Sequence, residues 1–157
     1  MNQPINTADL YDERGEQLAS VPLQFQSLGG RSHFSGKART IRCFQDNGLV
    51  KATLATPGHG AVLVVDGGGS LGTALMGDMI AESAVANGWS GVVINGAIRD
   101  REAIARLDLG VKALGSNPRK SAKDGAGEVD VDVVIDGVTV RTGAMIWCDP
   151  DGILVER

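Results

Sequence analysis

The stretch VLVVDGGGSLGTALMGDMIAESAVANGWSGVVINGAIRD, residues 62–100, decides how the chain folds. It follows Ala61 and opens on an apolar run (AVLVV, 61–65) of strand length, rich in β-branched residues. A strand buried on both faces reads this way. A glycine-rich turn comes next, then helical character over 81–87, with Gly88 as the left-handed residue that closes the helix. Residues 91–94 (GVVI) form the next buried strand, and Arg99-Asp100 lies just past its end. Twenty residues separate Asp78 from that dipeptide. Open α/β sheets bind ligands beyond the carboxyl ends of their strands. Two carboxylates and one guanidinium are therefore expected to converge on one pocket there.

Outward from this unit the signals are shorter. Residues 7–18 read as a helix, with Thr7 as N-cap and Asp9 in the first turn. Residues 21–28 alternate ahead of the Gly29-Gly30 turn, and 37–44 (KARTIRCF) read as a half-buried strand. Residues 47–55 are helical with Asn47 as cap, 101–107 form a short helix, and 111–114 a strand. In the last third, Asp136-Gly137 between 129–135 and 138–141 predicts a hairpin, because Asp-Gly supplies the positive φ angles of a type I′ turn. Residues 144–148 and 153–156 flank a second turn, Asp149-Pro150-Asp151-Gly152. The expectation is one α/β domain over 1–157 with a βαβαβ middle and β-rich ends.

Composition excludes several classes. A chain of 157 residues, 43% hydrophobic and 22% charged, is most simply one globular domain with a real core. No apolar run approaches the roughly 20 residues of a membrane span. The polar, acidic start MNQPINTADLYDERGEQ is unlike a secretory or transit sequence, so the cytoplasm is the expected compartment. A net charge of −4 and 4% aromatic content argue against a nucleic-acid surface. Cys43 and Cys148 lie far apart and suggest neither zinc nor a disulfide framework. The one basic cluster, Arg119, Lys120 and Lys123, reads as a solvated loop or as a rim that attracts anions.

Gly67, Gly69 and Gly72 match G-x-G-x-x-G directly after a strand, as in nucleotide or S-adenosylmethionine sites. Such a site wants an acid at the end of the next strand, and Ile94-Asn95-Gly96-Ala97 supplies none. Close packing of the backbone, or anion binding, is the better reading of these glycines. If a helix begins at Gly77-Asp78, the free amides of Asp78, Met79 and Ile80 suit a substrate carboxylate. Glu82 shares the helical face of Asp78 and reads as a solvated acid. Arg99 offers a planar fork to a carboxylate or enolate. Asp100 is a hard oxygen ligand suited to Mg²⁺ or Mn²⁺. His33, His59, Trp89, Trp147 and Cys43 have no catalytic partner in the sequence.

Several blocks taken together, LQFQSLGGRSHFSGKARTIRCFQDNGLV, VLVVDGGGS, GVVINGAIRD, LGVKALGSNPRK and DPDGILVE, resemble the family of regulator of ribonuclease activity A. That family includes the class II 4-hydroxy-4-methyl-2-oxoglutarate aldolases. Their D-X20-R-D signature is matched by Asp78, Arg99 and Asp100, positions where members acting only as ribonuclease E inhibitors differ. The resemblance implies a swivelling β/β/α fold and a homotrimer with sites between subunits. It implies a pyruvyl group held by Arg99 and the amides of Gly77 to Ile80, with a divalent cation, Mg²⁺ or Mn²⁺, carried on Asp100 largely through water. Asp78 would organise metal-bound water or a proton relay. The chain lacks the C-terminal extension of some larger aldolases, which leaves an acid supplied across the interface unassigned. The implied activity is cleavage of a small 2-keto dicarboxylate to pyruvate, with oxaloacetate decarboxylation as a second activity. A non-enzymatic partner of a ribonuclease is the competing expectation, and a demethylmenaquinone methyltransferase ranks last.

Overall fold

The structure, a computed structural model, describes residues 4–157. In chain order it forms α1 (Thr7–Arg14), a 3-10 turn (Gly15–Gln17), β1 (Leu18–Ser20), β2 (Gln26–Ser27), β3 (Phe34–Arg42) and α2 (Gly48–Leu54). The middle contains β4 (Val62–Asp66), α3 (Asp78–Ala86), β5 (Gly91–Ile98), α4 (Arg101–Ile104) and β6 (Gly110–Ser116). The chain ends with β7 (Glu128–Val129), β8 (Val133–Ile135), β9 (Val138–Val140), β10 (Met145–Asp149) and β11 (Gly152–Glu156).

Strands β3, β4, β5 and β6 are parallel neighbours, joined by crossovers through α2, α3 and α4. Strand β3 belongs to two pairings. Its first half, from Phe34 to Lys37, runs antiparallel to β10, and Ala38 to Arg42 runs parallel to β4. This single long strand carries the chain from the antiparallel β1-β11-β10 portion into the parallel one.

Alternation within β4 separates the layers. Leu63 and Val65 join Ile41, Val92 and Ile94 in a core closed by residues of α2, α3 and α4. Val62 and Val64 point the other way, into a core with Val133, Ile135, Val140, Ile146 and Ile153. The resulting layers are β, β and α, and burial of both faces explains the unbroken apolar run of β4. The β8–β9 hairpin turns at Asp136 (φ 46°) and Gly137 (φ 80°), the expected Asp-Gly geometry. No helix among the described residues is long and apolar enough to cross a membrane.

Three local expectations need correction. Asn6, not Thr7, occupies the N-cap of α1, because Thr7 turns inward and both its amide and its hydroxyl donate to the buried Asp149 carboxylate at 2.7 Å. Asn47 is the N-cap residue of α2 but its side chain caps nothing, and Asp46 takes the Gly48 amide at 2.9 Å. Strand β5 runs on through Asn95-Gly96 to Ile98, with a register shift of one residue that sets Asn95 and Gly96 against the single Leu114 of β6. The elements at 7–18, 21–28 and 101–107 are all shorter than their sequence pattern suggests.

Candidate functional site

The segment before α3 is stitched into the sheet. The Ala74 amide donates to Arg119 O at 2.7 Å, Leu75 to Ala97 O at 2.8 Å, and the Arg99 amide returns to Met76 O at 3.0 Å. This extended run fixes where the next residue, Gly77, meets the end of β5. Helix α3 then begins at Asp78 with Gly77 as N-cap, and its first intrahelical bond is from Ala81 N–H to Gly77 O. The first-turn amides of α3 are therefore left for other partners.

One of those amides is taken. Asp100 adopts a left-handed backbone (φ 61°, ψ 44°), unusual for a residue with a side chain, and this turns its carboxylate back toward α3. Oδ2 of Asp100 accepts the Asp78 amide at 3.0 Å and lies 3.9 Å from Arg99 Nε. Of the amides expected from Gly77 to Ile80, that of Asp78 is thus spent on Asp100, which leaves those of Gly77, Met79 and Ile80. Gly77 has ordinary dihedrals (φ −115°, ψ −169°), so its need for glycine is spatial. A Cβ there would come within 2.8 Å of Asp100 Oδ2 and 3.2 Å of Arg99 Nε.

A cavity of about 250 Å³ opens at this junction, lined by Gly77, Asp78, Met79, Ile80 and Arg99 on one side. Asn47, Lys51, Lys120 and Lys123 also line it. Asp100 itself faces a neighbouring, more open depression with Arg101 and Arg106, and Arg99 borders both spaces. The three signature residues therefore meet around Gly77 rather than on one cavity wall. Glu82 is exposed and lines neither.

Asn47 and Lys51 were not legible as site residues. Asn47 is only 7% exposed and its Oδ1 has no hydrogen-bond partner among the described residues. The neighbouring Asp46 carboxylate accepts the amides of Gly48, Asp124, Gly125 and Ala126. Those bonds, that from Gly48 foremost, hold its pKa below the usual carboxylate value. Asp46 thereby pins the loop that follows Lys120 and carries Lys123. Of the basic cluster, Arg119 contributes its backbone and the two lysines reach the cavity.

Residues without a catalytic partner in the sequence stay outside the site. Cys43 is buried, and burial pushes its thiol up to about 11, the wrong direction for a nucleophile. Trp89 and Trp147 are core side chains, and His59 is an exposed loop residue.

The donor set fits a water-rich divalent cation better than an all-protein cage. No group of three His, Cys, Asp or Glu able to hold an ion occurs among the described residues. Asp100 offers one carboxylate, 38% exposed, with one oxygen held and the other left over. Mg²⁺ retains several waters and takes one or two carboxylates.

The glycine run does not form a nucleotide loop. Eleven residues separate β4 from α3, so Gly67–Gly72 does not open a helix. A Cβ at Gly67 would lie 2.8 Å from Asn95 O, which is the close packing expected. The extension of β5 does place an acid, Asp100, after that strand, but its carboxylate is bonded beside Gly77 and not at the glycine run.

Residues 7–155 match the RraA-like family, described as Aldolase/RraA. The chain is similar to the S-adenosylmethionine:2-dimethylmenaquinone methyltransferase of Geobacillus kaustophilus, with 44% identity and a TM-score of 0.95 over 97% of this chain and 94% of that one. It is also similar to the RNA-processing inhibitor RraA of Thermus thermophilis, with 46% identity and a TM-score of 0.94 over 98% and 93%. A Streptomyces coelicolor member of the RNase ES inhibitor RraA protein family is 28% identical, with a TM-score of 0.75 over 94% and 76%. A β/β/α sheet with this connectivity, matched over nearly its whole length, assigns the chain to the RraA-like (Aldolase/RraA) family.

Proposed function

We propose that the protein is a divalent-metal-dependent lyase that cleaves 4-hydroxy-4-methyl-2-oxoglutarate to two pyruvates and decarboxylates oxaloacetate. One observation carries the reading: Asp100 Oδ2 on the Asp78 amide at 3.0 Å, which holds Arg99 against the free start of α3. Joined this way, a cation-binding carboxylate, a guanidinium and unpaired helix amides form a receptor for the carboxylate and carbonyl of a 2-keto acid.

The residues then divide the work. Arg99 and the amides of Met79 and Ile80 bind the 2-keto carboxylate and orient the C3–C4 bond. Asp100 carries a Mg²⁺ or Mn²⁺ ion, which when bound supplies Lewis-acid polarisation of the keto group. Asp78, half-buried on the cavity wall with no ion pair among the described residues, relays the proton lost from the C4 hydroxyl. The C3–C4 electron pair becomes the enolate of pyruvate, the C4 fragment leaves as the second pyruvate, and protonation at C3 completes the cycle. In oxaloacetate the same bond breaks to release carbon dioxide. Arg99 stabilises the developing enolate charge, and losing one such donor costs about 10²–10³ in rate.

The test is pyruvate release from both substrates with Mg²⁺ and with excess chelator. Release that needs metal and disappears in Arg99→Ala and Asp100→Ala supports the reading; near-normal release from Arg99→Ala overturns it.

A second reading is favoured by the inhibitor named above at 46% identity. An acidic protein of net charge −4 could cover a basic segment of a ribonuclease by complementarity. Absence of pyruvate release with any metal would bring that reading forward.

A further inference from the structure

Sulfur is distributed unevenly with respect to solvent. Cys43 and Cys148 are buried, and Met76 is fully enclosed in the core on the α side of the sheet. Met145 is half-buried against Leu18, Trp147 and Leu154, and Met1 lies outside the described residues. Met79 stands apart. It is 80% exposed, more than any other large hydrophobic side chain among the described residues. It is the second residue of α3 and lines the cavity with Ile80 and Arg99. Ile80 packs on the α-side core, whereas Met79 joins none of the three cores formed by the described residues. A thioether so placed is open to two-electron oxidants, which convert an apolar side chain into a polar one. Hydrogen peroxide is smaller than a 2-keto acid, so it enters wherever that substrate reaches the Met79 amide.

We propose that Met79 is an oxidation site through which hydrogen peroxide closes the cavity to anionic ligands. A sulfur lone pair attacks one peroxide oxygen, the O–O bond breaks, and the other oxygen leaves as water. Sulfur loses two electrons to peroxide and becomes the sulfoxide. Its new oxygen is a strong acceptor on a flexible, unbranched arm rooted in the first turn of α3. There it satisfies the open first-turn amides, as side-chain acceptors near helix starts do, and competes with the substrate carboxylate for the same donors. Sulfoxide reductases reverse the change, so the closure is reversible. The inference rests on the lyase reading for what the closed cavity stops, and not for where the oxidant acts.

The test treats the intact protein, with Mg²⁺ present, with graded hydrogen peroxide, then removes the peroxide with catalase before substrate is added. Two quantities are read: sulfoxide at each methionine by peptide mass spectrometry, and pyruvate release from oxaloacetate. Met79 should be oxidised first, Met145 later and Met76 last. Release should fall in proportion to the Met79 sulfoxide and return after treatment with methionine sulfoxide reductases. Met79→Leu keeps an apolar side chain of similar volume without the sulfur. Relative to its own untreated activity, it should lose far less at the dose that halves wild-type release. Oxidation of Met76 or Met145 as fast as Met79, full release from protein carrying Met79 sulfoxide, or equal loss in Met79→Leu overturns the proposal. If untreated protein releases no pyruvate with any metal, the lyase reading falls. The sulfoxide map then decides the site alone: selective oxidation of Met79 upholds it, and unselective oxidation overturns it.

Discussion

A methyl group on Gly77 would lie 2.8 Å from the Oδ2 of Asp100, closer than carbon and oxygen approach without displacement. Gly77→Ala is therefore a selective probe of the site. Its dihedrals suit alanine, so thermal stability should change by less than about 1 kcal/mol. The carboxylate and the Arg99 guanidinium must move aside, and metal-dependent pyruvate release should fall by about 10²-fold, as for a misplacement near 1 Å. Full activity in this variant would show that the Gly77–Asp100 contact has no part in turnover.

Asp100→Asn separates charge from conformation. Asparagine tolerates the left-handed backbone that Asp100 adopts. The variant should keep its melting temperature while losing the Mn²⁺ affinity that paramagnetic titration of wild type reads. Equal Mn²⁺ affinity in the two proteins would move the ion elsewhere.

Asp46 makes the protein acid-sensitive. Its folded pKa lies below the unfolded value, chiefly through the Gly48 amide and then those of Gly125, Ala126 and Asp124. Its contribution to stability is therefore complete above the unfolded carboxylate pKa and is lost as pH falls through the depressed folded one. Asp46→Asn should be less stable near pH 7 and should show a flatter acid limb in unfolding curves. Parallel curves for the two proteins would show that the four amides do not favour the charged form.

Thr7→Val removes a hydroxyl 2.7 Å from the buried Asp149 carboxylate, which also accepts the amides of Asp151 and Gly152. Hydrogen bonds to charged groups contribute about 1.5–3 kcal/mol, and denaturant unfolding should show a loss in that range. A loss below ~0.5 kcal/mol would mean that water replaces the hydroxyl.

Thiol reagents should leave activity intact. Cys43, with its pKa raised to about 11 by burial, and Cys148, fully buried and raised further, are shielded and protonated at pH 8. Rapid alkylation of native protein would contradict the packing of both side chains.

How much of this could be read in advance depended on where each signal originates. Strands β4 and β5 were legible because burial on both faces leaves unbroken apolar runs, and the Asp136-Gly137 hairpin because its turn needs positive φ. The start of α3 was legible only conditionally, since nothing local distinguishes a helix from Leu71 from one that begins at Asp78. Bonds from Ala74 and Leu75 to neighbouring strands decide it. The continuation of β5 through Asn95-Gly96 was hidden because polar and glycine residues look like a strand's end. Asn47 and Lys51 carried no signal, because their role arises from α2 packing beside α3. Lys120 and Lys123 drew notice as a charge cluster, but only the fold distinguishes a rim from a solvated loop.

The backbone bond from Arg99 to Met76 gives the D-X20-R-D spacing a second meaning. The chain leaves the sheet at Gly77, descends through nine residues of α3, turns at Gly88, and climbs eight residues of β5 to arrive beside its starting point. The interval is a closed circuit whose length is set by the return. Removing one residue from β5 would displace Arg99 by about 3.3 Å, a full strand rise, and break the circuit even with every side chain retained. The motif is thus a ruler as well as a set of reagents, and length changes within it should be tolerated less than substitutions.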